Sequence, residues 1–234
     1  MTGLLRFAAV LSWLTFAVPA TPQSVYVDLD IYFGDPQIGN GAPSPQFGGA
    51  ANQPGYWNRV HLSSPGPDVL LDTAGRPTSV VMRASGGIGT GIGFRFEGNT
   101  GDYALLLNDA ANIGGEGTNV YRFDGLARGI YRIVTYAVAP YGAVSPVAVT
   151  VPGSWSPNPQ VVTGPMPGNS LQYLVTHSVH ELSVQSGLVE IRASGPWPTS
   201  YVNGMQLVLV PEARTFAATG MLLFIVLIRK KSKE

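Results

Sequence analysis

Ile130-Tyr-Arg-Ile-Val-Thr-Tyr-Ala-Val138 is the stretch on which the fold turns. β-Branched and aromatic residues crowd it, and apolar side chains occur at both odd and even positions. Such residues fit a pleated surface, and apolar character on both faces predicts a strand covered from two sides. Further along, Val147, Val149 and Val151 share one face of a second strand, with the period of two that marks half-burial. Val189 and Ile191 point inward between Glu190 and Arg192 in the same way. Residues 171–184 read as a long strand whose apolar phase shifts near His180, which predicts a bulge. The segment 201–210 closes the series. In the other direction 119–123, 103–107, 91–96 and 79–84 read as short strands, and Val25-Tyr-Val-Asp-Leu-Asp-Ile-Tyr-Phe33 as the first.

The 29 Gly and 19 Pro fall between these runs, where short strands need their turns. No helical periodicity longer than a turn or two appears between residues 25 and 210. About nine to eleven strands are expected, in an all-β chain forming a single antiparallel β-sandwich of jelly-roll type. Pairing of the first strand with the last would bring the ends of this domain together.

Charged residues are only 12% of the chain, half the usual share of about 25%. Between residues 21 and 210 eight Arg face eight Asp and four Glu, a net charge of −4, and every Lys lies at 230 or beyond. No clustered basic face is visible, so no nucleic-acid partner is expected. Cysteine is absent, which removes thiol catalysis, iron–sulfur clusters and cysteine zinc sites.

The two ends read as addresses. Arg6, the apolar run 7–18 and Val18-Pro-Ala20 form a signal peptide over residues 1–20. At the other end Val210-Pro211-Glu212-Ala213-Arg214 precedes the apolar segment 215–228. The basic cluster Arg229, Lys230, Lys231 and Lys233 then acts as a membrane stop. The folding domain is therefore 21–209, flanked by an N-terminal signal helix and a C-terminal hydrophobic helix.

The order of motif, hydrophobic helix and basic end over 210–234 resembles the PEP-CTERM sorting signal, with Ala213 where that family usually has a second Pro. The resemblance implies a sorting motif at Val210, Pro211 and Glu212. It further implies a sorting protease (an exosortase) as partner, membrane attachment through the C-terminal helix before processing, and a place in the bacterial envelope or outside the cell. Tyr121-Arg-Phe-Asp-Gly125-Leu126, Gly129-Ile-Tyr131 and Tyr201-Val-Asn203-Gly204-Met-Gln-Leu207 resemble galactose-binding-like β-sandwiches, with Tyr56-Trp57-Asn58 as an earlier match.

Among candidate sites, Trp155 and Trp197 lie in Pro- and Gly-rich loops, with Tyr56 and Trp57 near another. An exposed indole offers a flat apolar platform with a polar handle, and sugar rings stack on such platforms. Asp28, Asp30 and Asp35 offer the hard oxygen ligands that calcium prefers. The galactose-binding-like resemblance implies a structural calcium, while the residues alone read as a solvated strand face; no other cofactor is expected. His177 and His180, three apart on a strand, point to opposite faces and do not make a zinc site. Gly86-Gly-Ile-Gly-Thr-Gly-Ile-Gly93 lacks the spacing and Lys of a phosphate loop and reads as a flexible connector. No nucleophile-elbow motif is present.

The expected function is that of a non-catalytic envelope or matrix protein displayed at, or released from, the surface. The alternative is a lectin-like carbohydrate-binding module that stacks extracellular polysaccharide on its loop tryptophans. A glycan-active hydrolase with unrecognised carboxylates stands third.

Overall fold

A computed structural model describes residues 23–30, 41–61, 68–86, 88–114, 117–139, 146–166, 168–196 and 198–211. Within them lie fourteen strands, numbered here in chain order, one short α-helix and one 3-10 turn (Gly49–Ala51). The first sheet has five strands in the order β11 (His177–Val184), β8 (Gly129–Tyr136), β14 (Gly204–Val210), β1 (Val25–Asp30), β2 (Trp57–His61). The second has six: β10 (Gln160–Val162), β9 (Val147–Thr150), β12 (Leu188–Ser194), β7 (Thr118–Asp124), β4 (Pro77–Gly86) and β3 (Asp68–Leu71). A third, small sheet joins β13 (Tyr201–Val202), β6 (Asp109–Ile113) and β5 (Ile88–Gly93).

The two large sheets form a β-sandwich. Val27, Ile133 and Leu207 from the first meet Phe123, Val149 and Ile191 from the second in one core, all fully buried. Burying an aliphatic or aromatic side chain of this size contributes about 1.5–3 kcal/mol, so this layer is the main source of stability. The expected first-to-last pairing is present, with Val25 opposite Leu207 and Val27 opposite Met205. Val147, Val149 and Val151 line the core as their spacing predicts, and so do Val189 and Ile191.

Part of the outer face of the first sheet is also buried. Tyr26, Trp57, Val134, Tyr136 and Val208 pack beneath a layer built from residues 42–51, Phe94 and α1 (Asp102–Leu107). This explains why 130–138 is apolar on both faces. Two buried side chains fasten the layer. The Tyr136 hydroxyl accepts from Ala50 N at 2.6 Å, and the Gln206 amide bridges Ala51 N and Gly48 O. Ser44 is tied to α1 by two bonds to the Asp102 carboxylate.

Several expectations are corrected. The sandwich is not wholly antiparallel: β1 and β2 run parallel, Asp28 opposite Arg59. Residues 31–56 between them give the crossover length that a parallel pair needs. Residues 103–107 are helical, because Ala and Leu favour helix and no β-branched residue opposes it. Leu105 N bonds Gly101 O and Asn108 N bonds Ala104 O. The glycine run is not a connector: residues 88–93 are strand β5, paired with β6 across a register shift between Ile88 and Gly91. Glycine within a strand often marks such a bulge.

No bulge occurs at His180. Pairing of β11 with β8 is unbroken from His177↔Tyr136 to Val184↔Gly129, and 171–176 is a turn before it. The apolar phase shifts because Val179 packs under the covering layer while Leu182 faces the sandwich core. The closing strand is split at Asn203, whose side chain accepts from Val138 N and donates to Leu107 O and Asp109 O. The strands β2, β3, β6 and β10 were not foreseen. The signal peptide, the hydrophobic tail and its basic stop lie outside the described residues. Among the described residues no helix is long and apolar enough to cross a membrane.

Candidate ligand-binding surfaces

β11 is the edge of the first sheet, and an edge strand must have its free backbone groups covered or satisfied. Here the chain 154–160 does so. Trp155 N and Ser154 Oγ both donate to Glu181 O, at 3.1 and 3.0 Å, and Glu181 N donates to Ser156 Oγ at 3.0 Å. Two residues earlier on the strand, the Gln160 side chain bonds both N and O of Val179. Asn158 closes the turn on itself through N and O of Val151. The product of this edge protection is a stiffly held turn that carries Trp155, 56% exposed. Beside it Arg132 and Glu181 form an ion pair at 3.0 Å.

The other aromatic candidates do not join it. Tyr56, 38% exposed, precedes β2, at the opposite edge of the same sheet. Four interstrand spacings separate the two edges, about 19 Å. Trp57 is 2% exposed and is a packing residue: its indole N–H donates to Phe47 O at 3.0 Å, and its rings lie against Tyr26 and Phe47. Tyr56 lies before the strand begins and stays open, whereas Trp57, the first residue of β2, is covered. Trp197 lies outside the described residues.

Asp28 is fully buried rather than solvated, on the covered face of β1. Neither carboxylate oxygen has a hydrogen-bond partner. Burial pushes its pKa well above the usual carboxylate value, and the charge of Arg59 opposes that only in part. Two orphaned oxygens suit a calcium ion as far as they go, but calcium takes six to eight. The described residues hold no group of three acidic or histidine side chains that could complete a metal site. Asp30 lies on the same strand, and Asp35 lies outside the described residues. Val210 ends β14 and Pro211 follows it, as a residue without an N–H should; Glu212 and the residues beyond it are not described.

His177 and His180 are on opposite faces of β11, as their spacing requires. His177 faces the covering layer against Tyr136 and Tyr173, with Nδ1 3.0 Å from Thr176 Oγ1. His180 faces the core. Its ring nitrogens make no hydrogen bond, and the backbone of Val149 approaches without the required geometry. Burial lowers both pKa values to about 4. Glu181 is paired with Arg132 at 3.0 Å and Glu190 with Arg192 at 2.6 Å.

A second surface was missed in the sequence. Between β5 and α1 an open cleft of about 470 Å³ is lined by Arg95, Phe96, Glu97, Asn99, Thr100 and Asn108. The loop that forms it is pinned from behind. Thr100 N donates to Asn169 Oδ1 and Thr100 Oγ1 accepts from Asn169 Nδ2, at 2.8 and 2.6 Å. Asn99 donates to Asn108 Oδ1 at 2.8 Å and to Met166 Sδ. The Phe96 ring lies so close over Gly98 that a methyl group there would meet it at 2.5 Å. The visible signal was Phe94-Arg-Phe-Glu-Gly98-Asn, two aromatics alternating with opposite charges before a turn. A two-carboxylate hydrolase needs an acidic pair, and the lining of this cleft contributes one carboxylate, Glu97.

No family model matches the chain, and no curated relative does. Among solved structures it is similar to β-glucuronidase 2 of Bacteroides uniformis, at 16% identity and a TM-score of 0.43, covering 80% of this chain and 18% of that one. It is similar to a family 35 carbohydrate binding module from Clostridium thermocellum, at 15% identity and a TM-score of 0.31, over 56% of this chain and 92% of that one. TmCBM61 in complex with β-1,4-galactotriose aligns at 15% identity and a TM-score of 0.31, over 55% and 88% respectively.

Proposed function

We propose that this chain is an exported, non-catalytic carbohydrate-binding protein whose sandwich, read as a jelly roll extended by a third sheet, holds polysaccharide against Trp155. The observation that carries the reading is the exposed indole on a turn fixed by bonds to the backbone of β11. An aromatic on a backbone already held in place loses less conformational freedom on binding, so more of its contact area is converted into affinity. The Arg132–Glu181 pair beside it supplies donors and acceptors for hydroxyl groups. The export half of the proposal rests on residues 1–20 and 210–234, read as signal peptide and PEP-CTERM-like tail.

Affinity electrophoresis of the full chain against a polysaccharide panel tests the binding half. Retardation by at least one polysaccharide is expected, with Trp155→Ala weakening it at least about tenfold. Retardation unchanged in Trp155→Ala would overturn it. Mass spectrometry of the mature protein tests export: loss of residues 1–20 is expected, and loss of the tail near Pro211 if a sorting protease acts.

A further inference from the structure

The cleft between β5 and α1 is remote in sequence from Trp155, and it is built from different chemistry. Its volume of about 470 Å³ lies within the range of about 300–1,000 Å³ that small-molecule sites occupy. One wall is the half-buried ring of Phe96. Around it stand a guanidinium (Arg95), a carboxylate (Glu97), a hydroxyl (Thr100) and two carboxamides (Asn99, Asn108). Asn99 is 5% exposed, and its Oδ1 has no hydrogen-bond partner.

The arrangement selects among ligand classes. Arg95 and Glu97 carry opposite charges, so the cleft favours neither an anion nor a cation. The guanidinium offers donors only and the carboxylate acceptors only. Adjacent hydroxyls of a sugar are each donor and acceptor at once, and satisfy both. The Phe96 ring provides the apolar contact for the C–H face of such a ring. The bonds from Asn169 to Thr100 and from Asn99 to Asn108 hold the loop in place before any ligand arrives, which lowers the ordering cost of binding.

From this geometry we infer that the cleft is a second binding site, for one neutral sugar residue bearing a vicinal diol. The inference deepens the carbohydrate reading and rests on it. Trp155 holds a polysaccharide on an open edge, and the cleft takes a single residue or a chain end.

NMR titration of the ¹⁵N-labelled full chain tests it, with D-galactose, D-glucose, D-mannose, D-xylose and their β-1,4-linked disaccharides as probes. Glycerol stands as the simple-diol control and D-galacturonate as the charged one. At least one neutral sugar should shift the amides of 95–100 and 108, and glycerol and galacturonate should bind at least tenfold more weakly. Phe96→Ala and Glu97→Gln should each lower the affinity at least tenfold, and Trp155→Ala should leave it unchanged. Glu97 is exposed, so Glu97→Gln keeps the test valid if the Phe96 variant folds poorly. The inference is overturned if no neutral sugar shifts those amides, if Glu97→Gln binds like the unaltered chain, or if glycerol or galacturonate binds as tightly. Polysaccharide retention that is lost in Trp155→Ala while the cleft stays silent would sink this site and leave the carbohydrate-binding reading standing.

Discussion

The two large sheets share one core and differ on their outer faces. The first sheet is roofed by residues 42–51, Phe94 and α1, and its outer residues Tyr26, Val134, Tyr136 and Val208 are buried. The second meets solvent with an ion-pair ladder across β4, β7 and β12: Arg83–Asp124 at 2.7 Å, Arg122–Asp124 at 3.0 Å and Arg192–Glu190 at 2.6 Å. The roofed face carries buried polar groups that cannot be lost without cost, whereas the open face carries charges that water would satisfy as well. The roof also adjoins the loop that shapes the cleft. If the comparison holds, substitutions under the roof should cost several times more than those on the open face.

Trp57→Ala should have the largest effect. The side chain is 2% exposed, contacts Tyr26 and Phe47, and donates to Phe47 O. Truncating a buried aromatic costs about 3–5 kcal/mol, and denaturant unfolding should show a loss of that size. Polysaccharide binding by the fraction still folded should be unaltered, which separates Trp57 from Trp155. A stability change below about 1 kcal/mol would mean that the roof is loosely attached.

The contrast between the faces also explains how much could be read from the sequence. Strands of the half-exposed kind announce themselves by alternation: 147–151 and 189–192 were legible, and so was the pairing of first strand with last. The roofed face hides its own signal, because residues covered on both sides lose alternation. Val179 and Leu182 point to different hydrophobic layers, and their spacing imitates a bulge. Strand β6, Asp-Ala-Ala-Asn-Ile, is buried at four of its five positions and shows no period. Asp28 could not be told from a solvated strand residue, since what buries it comes from distant parts of the chain. The cleft was illegible for the same reason: the contacts that fix it join Thr100 to Asn169 and Asn99 to Met166.

β11 runs between the two environments, with His177 under the roof and His180 in the sandwich core. Both have pKa values lowered by burial from 6.5 to about 4. Above pH 6.5 both are neutral in the folded and unfolded chain, and stability does not depend on them. As pH falls from 6.5 towards 4 the unfolded chain binds protons that the native one excludes, so stability falls across that window. At 1.36 kcal/mol per pKa unit the full loss approaches about 3 kcal/mol for each histidine. Thermal melts between pH 7 and 4 should show the decline, and His180→Leu should remove about half of it. A flat profile above pH 5 would show that these rings reach water.

Asp28 gives the next effect, with the opposite sign. Its pKa is raised, so its stabilising contribution is complete below about pH 3.8 and is lost as pH rises through the folded value. At neutral pH the native state must bury an unpartnered charge or keep a proton that water would take. Asp28→Asn should therefore raise stability at pH 7–8, by about 1–3 kcal/mol, with the gain vanishing towards pH 4. Should the variant instead melt lower at pH 7, and added calcium raise the melting temperature of the unaltered chain alone, Asp28 would be a cation ligand.

The smallest change is expected on the open face. Asp124 accepts from Arg83 and Arg122 but keeps 31% side-chain exposure, and Arg83 keeps 54%. Its pKa is held below the usual carboxylate value, first by hydrogen bonding from Arg122. Ion pairs in this setting gain little, because water screens them and two long side chains must be held still. Asp124→Asn should cost under about 1 kcal/mol at low ionic strength and nothing measurable in high salt. Denaturant midpoints at two salt concentrations decide it. A salt-independent loss of 2 kcal/mol or more, on the scale of roughly a buried pair, would mean that this face is shielded from water as the other is, and the contrast between the two sheets would fail.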